Sequence, residues 1–140
     1  MVDFLLAYDG SSPAKKALEE AAWLAKELKG KVYVLYVVDT NALTEVFPDY
    51  TGEVAEIALN KAKEVVNEAV EALRKEGVEA EGLVEAGSVA EKIVEVAKSK
   101  NVKYIIMGAH GYSGIKKLLI GSVSDKVIRL SDRPVLVVKG

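Results

Sequence analysis

Five short apolar segments alternate along this chain with four longer segments whose apolar residues recur at helical spacing. The first segment, residues 2–8, is an almost continuous apolar run ending at a polar turn, which is typical of a strand buried on both faces of a parallel sheet. Residues 31–38, 78–85, 103–107 and 134–138 are the other predicted strands. Such alternation predicts an α/β fold, a doubly wound and mainly parallel sheet with helices on both faces. We expect the sheet to be open and five-stranded, with strand order 3-2-1-4-5. The third strand is more polar, which favours a place near the sheet edge.

The helices are predicted from their apolar period and their end signals. Ser12 is expected to cap the first helix, and Gly30 to end it. Ser88 and Glu91 match the S-x-x-E capping box of the third helix. The fourth helix is predicted over residues 122–130, before the last strand.

Composition limits the classes of protein to consider. At 140 residues, with 50% hydrophobic and 29% charged residues, the chain is expected to form a single soluble domain over residues 1–140. A net charge of -2 argues against a nucleic-acid partner. No cysteine is present and His110 is the single histidine, which excludes thiolate sites and multi-histidine metal cages. The chain shows no signal peptide or membrane anchor, so a cytoplasmic location is expected.

One connection is too long for an ordinary turn. Residues 39–52 have no clear period and exceed the ~2 to 6 residues typical of a βα connection. This is the one loop large enough to be a lid, and the sequence leaves its role open.

The strongest functional signal is a concentration of glycines after the fourth strand. Of 11 glycines in the chain, four lie between Met107 and Ser124. Glycine allows a ligand to approach bare amide groups, and the start of the fourth helix adds free N–H donors and the positive end of its dipole. The hydroxyls of Ser122 and Ser124 would be further donors. This arrangement predicts a phosphate cradle, although ordinary turns and a simple helix cap are the alternative interpretation.

Two common nucleotide motifs do not occur in the sequence. There is no Walker A motif, and no G-x-G-x-x-G follows the first strand, which disfavours the P-loop and dinucleotide-binding folds.

The spacing Gly108-x2-Gly111-x9-Gly121-Ser122 resembles the G-2x-G-9x-G-(S/T) signature of the ATP-binding branch of the universal stress protein family. Every fixed position matches. The similarity extends to the AYDGS opening, the YVVD end of the second strand, the SVAEKIVEVAK helix start and the GSVSDKVIRLSDRPVLVV ending.

The resemblance implies a site for ATP, with Mg²⁺ or Mn²⁺ held mainly by the phosphates. Ala7 and Val37 would form the walls of an adenine pocket, and Asp9 would approach the ribose or phosphates. The ribose and phosphate path would be lined by Gly108, His110 and Gly111, and the phosphates would be received by Gly121, Ser122, Val123 and Ser124. Met107 is a further predicted cofactor-binding residue.

The predicted function is that of a regulatory module in which bound ATP biases a dimer or a surface for a protein partner. The resemblance implies a homodimer formed through the last strand, PVLVV. Two alternatives stay open. One is a slow ATP hydrolase or phosphotransferase with Asp9 or His110 orienting the nucleophile. The other is a ligand-free dimeric interaction protein in which the glycines only shape turns and Asp9 only closes an Asx turn.

Overall fold

The computed structural model describes residues 2–48, 52–109 and 121–140. These residues contain a five-stranded parallel sheet with the order β3-β2-β1-β4-β5, which confirms the predicted fold class and strand order. The strands are β1 (Phe4–Ala7), β2 (Lys31–Asp39), β3 (Glu79–Gly87), β4 (Tyr104–Gly108) and β5 (Val135–Val138). The polar strand β3 lies at one edge, as predicted, and β1 lies at the centre, with Phe4 opposite Val32 and Tyr104.

Five helices are described where the sequence predicted four. They are α1 (Ser12–Leu28), α2 (Thr40–Val46), α3 (Gly52–Lys75), α4 (Val89–Ser99) and α5 (Ser122–Leu130). The additional helix, α2, occupies the first half of the segment that was expected to be an irregular loop. Within the described part of the chain, no helix combines the length and the apolar character needed to cross a membrane.

Two predicted helix ends are wrong in detail. Ser11, and not Ser12, caps α1, because the Ser11 Oγ accepts a hydrogen bond from the Ala14 N–H at 3.4 Å. At the other end the left-handed residue is Lys29 (φ 53°). Gly30 is required by packing, since a Cβ there would lie 1.7 Å from the Val2 carbonyl oxygen.

The predicted capping box of α4 is incomplete. Ser88 is the N-cap residue, yet its side chain makes no capping hydrogen bond. Its Oγ instead accepts a hydrogen bond from the Asn41 Nδ2 of α2 at 3.3 Å. The Ser88 side chain thus joins α2 to the start of α4, and it also contributes to the lowered pKa of the Glu91 carboxylate.

The sheet separates two apolar layers. On one face, Phe4, Leu6 and Ile106 pack against the alanine-rich faces of α1 and α3. On the other face, Leu5 and Ile105 pack against α4 and α5. Burial on both faces explains why the central strands are continuous apolar runs rather than alternating ones.

The order of the strands also determines where a crevice opens at the carboxyl ends of the strands. The chain leaves β1 through α1 on one face of the sheet and leaves β4 towards α5 on the other face. A crevice opens beyond the carboxyl ends of adjacent strands where the connections diverge in this way.

Candidate ligand-binding site

A cleft of about 510 Å³ lies at the carboxyl ends of β1, β2 and β4. This volume is in the range of small-molecule sites, which is about 300–1,000 Å³. The walls come from both helical layers and are mainly apolar. The lining residues are Ala7, Tyr8, Asp9, Ala14, Leu35, Tyr36, Val37, Val38, Asp39, Ala42, Leu43, Val46, Phe47, Ala58, Lys61, Val89, Ile93, Met107, Gly108 and Val123.

Six of the residues predicted for the site line this one cleft. They are Ala7, Asp9, Val37, Met107, Gly108 and Val123. They come from four separate elements or their ends, and the topology alone brings them together. The cleft therefore lies where a doubly wound sheet binds its ligands, beyond the carboxyl ends of its strands.

Asp9 closes a turn and also faces the cleft. Its Oδ1 accepts a hydrogen bond from the Ser11 N–H at 2.9 Å, as an Asx turn requires. The adjacent Gly10 has a φ of 81°, a left-handed conformation that glycine adopts without strain. The local turn thus holds the carboxylate at the mouth of the cleft.

The charge of Asp9 affects the pKa values of two nearby tyrosines, Tyr8 and Tyr36. Burial raises the pKa of the Tyr8 phenol, and the carboxylates of Glu68 and Asp9 raise it further. Burial also raises the pKa of Tyr36, with a second contribution from Asp9. Both phenols are therefore neutral at physiological pH, and both tyrosines line the cleft.

A smaller, more polar pocket of about 190 Å³ adjoins the cleft at the N-termini of α4 and α5. Ser122, at the start of α5, lines it, and Asp39, Val89 and Val123 line both cavities. The Lys126 ammonium of α5 pairs with the Glu91 carboxylate of α4 at its border, and this hydrogen bond is the main cause of a lowered pKa of Glu91. Helix N-termini supply N–H donors and a positive dipole end, which favour an anion. The lining also carries the carboxylates of Asp39 and Glu91 beside the Lys126 ammonium, and these carboxylates oppose an anion.

Two residues that were predicted to bind phosphate, Ser124 and Gly121, are buried at the start of α5. The Ser124 side chain is 1% exposed, and its Oγ donates a hydrogen bond to the Gly108 carbonyl oxygen at 3.2 Å. Gly121 is buried and is the N-cap of α5. Neither residue lines a described cavity, so Ser124 joins α5 to β4 in this structure and its role in binding phosphate stays a prediction.

Gly108 has a second reason to be glycine. A Cβ at this position would lie 2.5 Å from both the carbonyl carbon and the carbonyl oxygen of Pro13, in the first turn of α1. The first glycine of the motif therefore permits close packing of β4 on α1 as well as lining the cleft. His110 and Gly111, the other residues predicted for the ribose and phosphate path, lie outside the described residues.

Sequence reasoning missed part of the site. Helix α2 and the residue after it contribute Ala42, Leu43, Val46 and Phe47, and α3 contributes Ala58 and Lys61. The available signal for α2 was Asp39, a favoured N-cap residue, whose Oδ1 accepts hydrogen bonds from the N–H groups of Asn41 and Ala42 at 3.0 and 3.1 Å.

A doubly wound sheet with an apolar cleft at its switch point defines a class of α/β proteins that bind small molecules beyond their strand ends. Within that class the chain belongs to the universal stress protein family, whose model matches residues 3–139. The universal stress protein YxiE of Bacillus subtilis is 36% identical over 143 residues, which cover 96% of this chain and 97% of the relative.

Solved structures agree with this assignment. MJ0577 of Methanocaldococcus jannaschii, a universal stress protein, superposes with a TM-score of 0.88 at 30% identity, covering 99% of this chain and 96% of its own. A universal stress protein from Archaeoglobus fulgidus, solved in complex with dAMP, has a TM-score of 0.76 at 26% identity and is covered to 98%, against 99% of this chain.

Proposed function

We propose that this chain is an ATP-binding universal stress protein, a regulatory module in which bound nucleotide biases the surface offered to a second copy or to a protein partner. The observation that carries the proposal is the junction of two unlike cavities. An apolar cleft of about 510 Å³ shares three lining residues with a polar pocket at two helix N-termini. A nucleotide is likewise an apolar base joined to an anionic tail.

The fit of ATP follows from the chemistry of the two cavities. The side chains of Ala7 and Val37, half-buried at the ends of β1 and β2, offer apolar contact to a purine. Asp9, which lines the same cleft, would accept hydrogen bonds from ribose hydroxyls. The Ser122 hydroxyl and the free amides of the first turn of α5 would then meet the phosphates, where hydrogen bonds to a charged group contribute about 1.5–3 kcal/mol each.

Three further points support the proposal without deciding it. The Archaeoglobus fulgidus relative was solved with an adenine nucleotide, dAMP. The G-2x-G-9x-G-S spacing matches at every fixed position in this sequence. Within the described residues no three Asp, Glu or His side chains gather as a metal site, so we assign Mg²⁺ or Mn²⁺ to the phosphate oxygens of the nucleotide.

The proposed dimer uses strand β5. This strand is an edge of the sheet in residues 135–138, and Leu136 is 38% exposed on it. An edge strand presents backbone donors and acceptors that a second copy can pair with antiparallel. Because β5 adjoins β4 and α5 packs on it, nucleotide bound at the start of α5 lies one element away from that edge.

The proposal is tested by calorimetric titration of ATP and Mg²⁺ into wild-type protein and two variants of Ser122. Ser122→Asp adds a negative charge at the N-terminus of α5, which favours the helix but repels the phosphates. Ser122→Asn is the matched control of similar shape without charge. We expect micromolar binding to the wild type, and a loss of about tenfold or more in Ser122→Asp, since charges a few ångströms apart near a protein surface repel by several kcal/mol.

The control separates charge from shape. Ser122→Asn should bind ATP within about threefold of the wild type, and thermal melting should show that both variants are folded. A wild-type protein that is folded yet binds no ATP at millimolar concentration would refute the proposed function. Equal affinities in the Asp and Asn variants would show that the phosphates do not lie at the start of α5.

A further inference from the structure

Helix α2 and Phe47 form an apolar flap, residues 40–47, above the cleft. The side chains of Leu43, Val46 and Phe47 line the cavity, yet no residue of α2 is buried. Val46 is 68% exposed and Phe47 is 47% exposed. Large apolar side chains on a short surface helix would normally be covered, because removing them from water is the main source of helix stability in proteins.

The flap is attached at its first turn. The Asp39 carboxylate accepts hydrogen bonds from the N–H groups of Asn41 and Ala42, and the Asn41 Nδ2 donates one to the Ser88 Oγ of α4. Towards the other end, the Phe47 N–H bonds to the Leu43 carbonyl oxygen, within the flap itself. The N-terminal end is therefore fixed to the rim of the site, and the apolar end extends over the cleft.

A short helix of this kind gains stability only by packing. Seven residues are too few to form a stable helix alone in water, since isolated helices shorter than about 12–15 residues are marginal. The same cavity is lined by Val37 of β2 and by Val89 and Ile93 of α4, which are apolar side chains as well. Any group that fills this space and is itself flat and apolar would remove both surfaces from water together.

We propose that the flap is a hydrophobic lid that packs on the base of the bound nucleotide, with Val46 and Phe47 as the covering side chains. This inference rests on the proposed function and adds to it the part of the ligand that the flap contacts. The faces of the purine ring are the main apolar surface of ATP, and an aromatic side chain favours an offset-stacked or edge-on contact with such a ring. The lid therefore slows nucleotide release and favours nucleotides over free polyphosphate.

The first experiment compares Phe47→Ala with Ile57→Ala. Ile57 is the matched control, because it is a similarly exposed apolar residue (65%) on α3 that does not line the cleft. Calorimetry with ATP and Mg²⁺ should give about five- to tenfold weaker binding for Phe47→Ala, the loss expected when half of a phenyl ring no longer packs on the base. The affinity of Ile57→Ala should equal that of the wild type.

The outcomes separate the two proposals. If the wild type binds ATP and Phe47→Ala binds equally well, the lid is refuted and the proposed function stands. If Ile57→Ala loses as much affinity as Phe47→Ala, the effect is not local to the cleft, which also refutes the lid. If the wild type itself does not bind ATP, the proposed function fails and the lid fails with it.

Hydrogen exchange provides a second measurement that does not depend on a variant. Saturating ATP should slow exchange of the amides in residues 40–47, because a packed helix opens less often. Inorganic tripolyphosphate, which has no base, should leave their exchange unchanged. Unchanged exchange with bound ATP, or equal slowing by tripolyphosphate, would overturn the proposal.

Discussion

Replacing Gly108 by alanine tests whether the glycine motif serves packing as well as ligand approach. The added Cβ would lie 2.5 Å from two backbone atoms of Pro13 and 2.8 Å from its Cβ. Ordinary contact between carbon atoms is about 3.5–4.0 Å, so β4 and the first turn of α1 would have to separate by roughly 1 Å. The obstructing atoms are backbone atoms and cannot rotate away.

The expected cost can be bounded from this geometry. Overpacking a well-packed interior costs about 1–3 kcal/mol, and the backbone contact places this site in the upper part of that range. Alanine recovers about 0.5–1 kcal/mol relative to glycine inside a strand, because the unfolded chain is less flexible. The free energy of unfolding should therefore fall by about 2 kcal/mol, and the melting temperature by roughly 4–8 °C for a chain of this size.

Urea unfolding followed by circular dichroism, without nucleotide, measures this change directly. The control is Gly52→Ala, because a Cβ at the exposed start of α3 would meet no atom within 4 Å. It should change stability by less than about 0.5 kcal/mol. Unaltered stability of Gly108→Ala would refute the packing argument and leave ligand approach as the sole reason for glycine at this position.

Two further predictions concern stability. Arg133 is 14% exposed and donates hydrogen bonds of 2.9 and 2.8 Å to backbone carbonyls of α4 and the turn after it. Replacing it by alanine should lower the free energy of unfolding in urea by about 2 kcal/mol. Arg129→Ala, at a side chain that is 74% exposed, should lower it by about 0.5 kcal/mol or less. Equal losses of stability in the two variants would contradict the structural role given to the Arg133 hydrogen bonds. The pKa values of Tyr8 and Tyr36 are raised above 10.0, chiefly by burial, so the stability they contribute is complete below pH 10.0 and is lost as pH rises through the raised values. Native phenolate absorbance should show a late step that shrinks in Tyr36→Phe, and a single step near the ordinary pKa would contradict the raised values.

The fold could be predicted because its signals are local and redundant. A strand buried on both faces is a continuous apolar run, and β1 shows this pattern directly in the sequence. Once the strands and helices alternate, the preference for right-handed crossovers leaves few topologies. The polar character of β3 was enough to place it at an edge, as the structure confirms.

The details that were wrong depend on contacts between distant parts of the chain. Helix α2 has seven residues and no buried position, so it offers no hydrophobic period to detect. Ser11 and Ser12 are equally good caps by composition, and only the backbone conformation of the turn decides between them. The Ser88 Oγ accepts a hydrogen bond from Asn41, which is 47 residues away in sequence.

The sequence predicted several residues of the candidate site, but it did not predict which contacts each of them makes. The family resemblance implied Ala7, Asp9 and Val37 as residues of one pocket, and all three line the cleft. No sequence pattern indicates that the Ser124 hydroxyl bonds to the Gly108 carbonyl, because that bond depends on how α5 sits on β4. The position of the flap could not be predicted either, because its residues come to line the cleft only through the folding of the whole sheet.

A crystal structure grown with ATP and Mg²⁺ tests the central claim most directly. We expect electron density for the purine between Ala7 and Val37 beneath the flap, with the phosphates extending to the first turn of α5 at Ser122. Well-ordered crystals at saturating ATP in which that cleft is filled by the protein's own side chains, or in which the nucleotide lies elsewhere, would contradict it.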